Sequence, residues 1–348
     1  MPRIGILTFH HANNYGAVLQ AYGLSRALLE LGHDVQVIDY RPETARNHYE
    51  GRMPRRPRRF CREYLFRRRF NKFRKHLLPL SQTYLTAAEL AQSQSDFDVI
   101  VCGSDQVWNV TSYRGYDPAF FLNFVQGEQP KRVSYAASFG GATESDLGKD
   151  ASEIGQLLNK FDHISVRDAQ SLEVLSGLTS KPVSHVLDPV FLTDFDAITP
   201  PRLIDTPYIF SYCMNPSDLL REATPYLSRT LNLPVVSAKT YIEGTKLIHP
   251  GPLEWLSLLR HADFVCTDSF HGTCFSIKDK KPFVALPSYN GMSRIVDLLD
   301  TAALSDRVAE NSDDLEQITS REIDFEPVSP RIEAARSRSL NFLSEAID

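Results

Sequence analysis

Residues 268–273 read Asp-Ser-Phe-His-Gly-Thr and stand between a strand-like stretch at 263–268 and a helical stretch at 269–279. Ser269 is of the residue type that caps a helix N-terminus. The first turn behind such a cap carries unbonded N–H groups and the positive end of the helix dipole. His271 falls in that turn, Gly272 removes side-chain bulk and Thr273 adds a hydroxyl. Together they would cradle an anion beside an imidazole able to give it a proton. The plainer alternative is a histidine that only satisfies the backbone. The flanking Ser, Gly and Thr favour the anion site.

The same logic selects residues after other strand-like runs, because ligands of open parallel sheets bind beyond the carboxyl ends of the strands. Arg167 follows Ile-Ser-Val. A guanidinium there either pairs with an acid of the chain or clamps a carboxylate or phosphate. Asp105, Gln106 and Trp108 follow Ile-Val-Cys. The aspartate could bind hydroxyls, act as a base or cap a helix, and the indole could face a sugar or fill a core. Asn14, next to the adjacent pair His10 and His11, follows the first strand, and at most one of those histidines can face a ligand. Arg294, with Ser288, Tyr289 and Asn290, follows the last predicted strand.

These residues need a frame, and the hydropathy pattern supplies one. A strand at 3–9, a helix at 16–32 ending on Gly32 and a strand at 34–40 form a β-α-β unit with an expected right-handed crossover. No G-x-G-x-x-G follows the first strand, so dinucleotide binding is unsupported. After an Arg-rich interruption at 46–80, strands recur at 97–109, 132–140, 163–168 and 183–192. Residues 193–207, rich in Pro, Asp and Thr, read as a linker. A second α/β series then runs over 208–329, and an amphipathic helix closes the chain at 330–348. The expected fold is α/β, with two Rossmann-like domains, 1–192 and 208–329, facing across a cleft.

Composition narrows the function classes. The chain has 348 residues, 42% apolar and 23% charged, with a net charge of −5. It reads as a globular protein with no global pull toward nucleic acid. Residues 52–75 are the exception, with twelve Lys or Arg against one acid, Glu63, which leaves the remainder at −16. Tyr64, Leu65, Phe66, Phe70, Phe73 and Leu77 recur there at helical steps, so a basic amphipathic helix is expected. It packs on the body through its phenylalanines, or also meets an anionic lipid surface or a lipid-linked diphosphate. The five cysteines form no C-x-x-C pair and suit a reducing compartment. No metal or cofactor is implied. With no signal-like or membrane-spanning run, the expected location is the cytoplasm or its periphery at the inner membrane face.

The pieces NNYGAVLQAYGL (13–24), VIVCGSDQVWN (99–109), SYAASFG (134–140), ISVRD (164–168), VLDPVFL (186–192), DFVCTDSFHGTCFSI (263–277) and PFVALP (282–287) occur in an order that resembles the polysaccharide pyruvyl transferase family. The resemblance spans roughly 3–302 and implies a GT-B-like fold. It implies phosphoenolpyruvate as donor and a sugar of a cell-surface polysaccharide or its precursor, free or lipid-diphosphate-linked, as acceptor. The product would be a cyclic pyruvate ketal. It places His271 and Arg167 in the donor site, with Arg294 the best match to a further basic residue. Ser269, Gly272 and Thr273 would complete the donor cradle. The acceptor side would use Asn14, Gln106 and Trp108, with Asp105 taking a proton from the attacking hydroxyl. Two rivals stand beside this. One is a GT-B-like glycosyltransferase using a nucleotide sugar, with Glu243 or Glu254 on the ribose. The other is a non-catalytic glycan-binding member. A metal hydrolase fits poorly, since His249, His261 and His271 lack ligand spacing.

Overall fold

The computed structural model describes residues 1–49, 51, 53–54, 56–215, 217–287 and 292–348. Ser288, Tyr289 and Asn290 therefore lie outside the described residues. The chain divides into two compact units, 1–194 with 334–348, and 195–333.

In the first unit the apolar runs become parallel strands. They are β1 (Arg3–Leu7), β2 (Asp34–Tyr40), β3 (Leu80–Tyr84), β4 (Val99–Cys102) and β5 (Lys131–Ser134), in the order β3-β2-β1-β4-β5. β6 (Ile164–Val166) pairs with β7 (Val183–His185) and continues the sheet past β5, through bridges Val133–His163 and Ala137–Val166. Central β1 is registered Ile4 to Val35 on one side and Ile4 to Val99 on the other. Its Ile4 and Ile6 on one face and Leu7 on the other are all fully buried, as two-sided coverage by helices requires. The helix Tyr15–Glu30 starts where the sequence signals, because Asn14 accepts a hydrogen bond from the Ala17 N–H.

The Arg-rich segment proves to be the crossover that carries the chain from β2 to β3 rather than an insertion. It contains the helices Glu43–Tyr49 and Pro57–Leu77. Pro57 opens the longer helix at a first-turn position, where a missing N–H costs nothing. Its Phe70 packs on Tyr15 at 5.2 Å between ring centroids and Phe73 on Tyr22 at 6.1 Å. Arg74, on the same face, donates to the carbonyls of His11 (3.2 Å) and Ala12 (3.1 Å) and to Asn13 Oδ1 (3.0 Å). The opposite face is exposed and carries Arg68, Lys72 and Lys75 together with Tyr64 and Leu65.

The second unit repeats the order with β8 (Ile209–Tyr212), β9 (Val235–Ala238), β10 (Lys246–Ile248), β11 (Phe264–Thr267) and β12 (Phe283–Ala285), arranged β10-β9-β8-β11-β12 and all parallel. Residues 195–207, expected as a linker, begin this unit instead. Phe195 is fully buried against Phe275 at 5.1 Å, and Asp196 takes a 2.7 Å ion pair from Arg260. The C-terminal segment also differs from a free-standing helix. Within the helix Val328–Ile347, Leu343, Ala346 and Ile347 join Ile4 and Leu28 in the core of the first unit, and Ser339 Oγ accepts from the Leu187 N–H.

Candidate functional site

In the first unit, the ends of β4, β6 and β7 converge on Arg167. Its Nη1 donates to Asp188 Oδ2 at 2.7 Å and its Nη2 to Asp105 Oδ1 at 2.9 Å. The guanidinium and the Asp188 carboxylate are closed to solvent, while Asp105 keeps 16% of its side-chain surface open. Burial alone would disfavour the cation, but Asp105, Asp188 and Asp168 outweigh it and hold the Arg167 pKa above its ordinary value. Both terminal nitrogens thus serve carboxylates of the chain. Of the two readings left open for Arg167, this geometry gives the pairing with acids of the chain, through which the guanidinium holds Asp105.

Local backbone explains the placement of Asp105. Gly103 has φ +128°, and a Cβ there would stand 2.1 Å from the Tyr135 carbonyl oxygen. Asp105 itself has φ +78°, a conformation that aspartate tolerates better than most residues. The tight turn delivers its carboxylate to the rim of the sheet.

The remaining acceptor-side candidates have local duties. Asn14 caps a helix, as noted. Gln106 Oε1 accepts from Asn109 Nδ2 at 2.9 Å, and a Cβ at Gly140 would stand 2.5 Å from each of those two atoms. Trp108 differs from the sugar platform expected of it. Its ring is 1% exposed, stacks on Phe121 at 5.4 Å, and donates its Nε1–H to the Phe120 carbonyl at 2.9 Å. A ring so enclosed fills the core.

Sequence reasoning left unassigned a second set at the same rim, after β1, β2 and β4. His10 is sealed against Asp39 at 2.7 Å, while neither nitrogen of its neighbour His11 has a hydrogen-bond partner among the described residues. Burial, then the charges of His10, Arg41, Arg74 and Arg114, pushes the His11 pKa well below its ordinary value, so its ring is neutral at pH 7. Arg114 lies 3.4 Å over the Phe9 ring, and Phe9 meets the His11 ring edge-on at 6.4 Å. The sequence had marked the pair His10 and His11 as able to turn one member to a ligand, and His11 is that member; Tyr113 and Arg114 carried no motif.

In the second unit, Ser269 caps the helix Phe270–Lys278, accepting from the Gly272 N–H at 3.4 Å. Gly272 is required by packing, since a Cβ would lie 2.2 Å from Thr267 Oγ1. The Thr273 hydroxyl is buried and bonds back to the Ser269 carbonyl, so it supports the turn. Asp268 accepts the N–H groups of Met214 (2.6 Å) and Asn215 (3.0 Å) and anchors the loop after β8. His271 meets the Phe270 ring edge-on at 5.3 Å, and the Arg294 guanidinium lies 5.9 Å over that same ring. The structure thereby brings His271 and Arg294 to one aromatic group, with Arg167 in the other unit. Among the described residues, no group of His, Cys, Asp and Glu is placed to hold a metal ion, and no helix is long and apolar enough to cross a membrane.

A family model described as polysaccharide pyruvyl transferase matches residues 14–289. No curated protein matches the sequence. Among solved structures, the UDP-GlcNAc 2-epimerase of Methanocaldococcus jannaschii is similar at TM-score 0.55 and 12% identity, covering 99% of each chain. The UDP-GlcNAc 2-epimerase of Neisseria meningitidis gives 0.54 and 10%, again covering 99% of each. A mutant O-GlcNAc transferase of Thermobaculum terrenum gives 0.52 and 14%, covering 99% of this chain and 66% of its own. At such identities the likeness concerns the fold, which is GT-B-like with two Rossmann-like domains.

Proposed function

The chain belongs to the polysaccharide pyruvyl transferase family, and from that premise we propose that it moves the enolpyruvyl group of phosphoenolpyruvate onto two hydroxyls of a polysaccharide sugar or its precursor. The observation that carries the reading is the meeting of His271 and Arg294 on the Phe270 ring, at the start of a helix capped by Ser269. A substrate with a phosphate and a carboxylate suits a guanidinium and a helix N-terminus.

The reaction runs in two additions. His271 gives a proton to the methylene carbon of phosphoenolpyruvate, and the neighbouring carbon becomes electrophilic. One sugar hydroxyl adds there and loses its proton. The second hydroxyl then displaces phosphate and closes the ketal. Of the two hydroxyl protons, one replaces that given by His271 and the other leaves with phosphate. Arg294 offsets the charge that gathers on the leaving group. Asp105, held by Arg167, orients the attacking hydroxyl through a hydrogen bond.

Phosphate release from phosphoenolpyruvate, measured across a panel of sugar and lipid-linked sugar acceptors, tests the reading. His271→Ala should lower acceptor-dependent release by about 10²–10⁴-fold, the range for a positioned acid. Full activity in that variant would remove His271 from the chemistry. Absence of phosphoenolpyruvate binding by calorimetry would overturn the donor assignment. For the exposed basic face of the helix Pro57–Leu77, we propose contact with an anionic lipid surface, supported by its row of cations beside Tyr64 and Leu65.

A further inference from the structure

The unassigned set after β1, β2 and β4 asks for a ligand on two independent grounds. The first is His11, 8% exposed and neutral, with neither ring nitrogen hydrogen-bonded among the described residues. Most buried polar groups are hydrogen-bonded, so a ring with both nitrogens unpartnered is a candidate to receive a ligand. A neutral imidazole offers one N–H and one lone pair, so it can give a hydrogen bond to one sugar hydroxyl and take one from another.

The second ground is Arg114. It is half-buried and makes no ion pair with the described residues. Its Nε–H donates to Ser112 Oγ at 3.3 Å and one Nη2–H to the Gln106 carbonyl at 3.0 Å. Five N–H groups make up a guanidinium, so three remain without a protein partner among the described residues. Arg167, on the same rim, already has two carboxylates in direct contact, whereas Arg114 has its aromatic neighbour Phe9 and only the more distant charges of Asp105 and Asp117.

The surroundings fit a sugar. Tyr49 stands 5.7 Å from His11 and 5.9 Å from Tyr113, and Tyr113 is 46% exposed. Aromatic faces pack well on the C–H surface of a pyranose. Asp105 lies within electrostatic reach of both Tyr49 and Arg114, which joins this cluster to the carboxylate that orients the attacking hydroxyl.

We propose that His11, Tyr49, Tyr113 and Arg114 form the acceptor site, and that the acceptor carries an oxyanion, a phosphate or a carboxylate, which pairs with Arg114. The placement of Asp105 as the hydroxyl-orienting group rests on the transferase reading above; the anion preference does not.

The test uses the full chain and calorimetry. Probes are the 1-phosphates of glucose, galactose, mannose and N-acetylglucosamine, the matching uronates, and the neutral methyl glycosides. At least one charged sugar should bind roughly 10- to 100-fold tighter than its neutral parent, the worth of one charge-assisted hydrogen bond. Arg114→Met should erase the preference, with phosphoenolpyruvate binding and thermal midpoint recorded on the same sample. His11→Gln, which keeps a donor and an acceptor, should retain more affinity than His11→Leu. If Arg114→Met does not fold, the wild type decides. Raising NaCl from about 50 to about 300 mM should weaken the charged sugars and spare the neutral ones. Which anion wins separates phosphate from carboxylate. No preference for charge across the panel, or a preference that survives in folded Arg114→Met, overturns the proposal. That result beside intact phosphoenolpyruvate binding would leave the transferase reading standing. Charged-sugar binding without phosphoenolpyruvate binding would do the reverse.

Discussion

Replacing Arg167 with methionine takes away the guanidinium that Asp105 and Asp188 share. Methionine is close to isosteric along the stem, so the loss is chiefly of charge. The Asp188 carboxylate has no solvent-exposed surface, and stripping one partner from a buried ion pair costs roughly 3–5 kcal/mol. Asp105, partly open to water, adds little to that figure. A cost of this size raises the unfolded fraction by about 10²–10⁴. The chain holds two tryptophans, Trp108 in the first unit and Trp255 in the second. Urea unfolding followed by fluorescence in a Trp255→Phe background therefore reports on the unit that contains Arg167. In the double variant Arg167→Met/Asp188→Asn, much of the loss should return, because the orphaned carboxylate is gone. Coupling between contacting charges is usually about 0.5–3 kcal/mol, and the cycle should give a value at or above the upper end. The reasoning fails if Arg167→Met costs under about 1 kcal/mol yet weakens phosphoenolpyruvate binding tenfold or more. That result would mean the guanidinium serves the ligand and not Asp105.

Other perturbations test other parts of the argument. Gly272→Ala should lower stability by about 1–3 kcal/mol, because Thr267 Oγ1 is held by the Tyr212 carbonyl and the Ser269 N–H and has nowhere to move; an unchanged thermal midpoint would refute the packing account. The Asp39 pKa lies below its ordinary value, since hydrogen bonds from His10, Arg41 and Thr83 outweigh the effect of burial, which would raise it. The stability this carboxylate contributes is then fully present above about pH 4 and is lost as pH falls further. The difference in urea midpoint between wild type and Asp39→Asn should narrow from pH 6 to pH 3, and a constant difference would count against it. Reversing Arg68, Lys72 and Lys75 to glutamate should reduce co-sedimentation with phosphatidylglycerol vesicles by about 10²-fold or more, at about 1 kcal/mol for each cation near the surface. Equal sedimentation of wild type and variant would dismiss the lipid contact.

Most of the frame was legible because it is written in continuous apolar runs. β2 falls at Asp34–Tyr40 as read, and β11 falls within the expected 263–268. β3 and β10 escaped notice for a physical reason. They are edge strands with exposed positions, and Leu-Ser-Gln-Thr-Tyr has no run of apolar residues to mark it. Missing β3 made the β2–β3 crossover look like an insertion. The linker was misread for a related reason, since Pro and Asp mark irregular backbone but say nothing of what Phe195 packs against.

Arg167, Arg114 and Arg74 show why the site was harder to read than the frame. Each follows or flanks an apolar or aromatic run, and nothing in the local sequence separates them. Their partners do. Arg74 is spent on the backbone of the loop that carries His11, Arg167 on two carboxylates, and Arg114 on a carbonyl and a hydroxyl, with Asp105 and Asp117 in electrostatic reach but not in direct contact. Partners that lie 60 or more residues apart, such as Asp105 and Arg167, are set by the order of strands in the sheet. A cation's role in this fold therefore depends on how many of its N–H groups the chain already uses: Arg114, the arginine that no motif singled out, keeps three of its five N–H groups without a protein partner among the described residues and can present them to an anion.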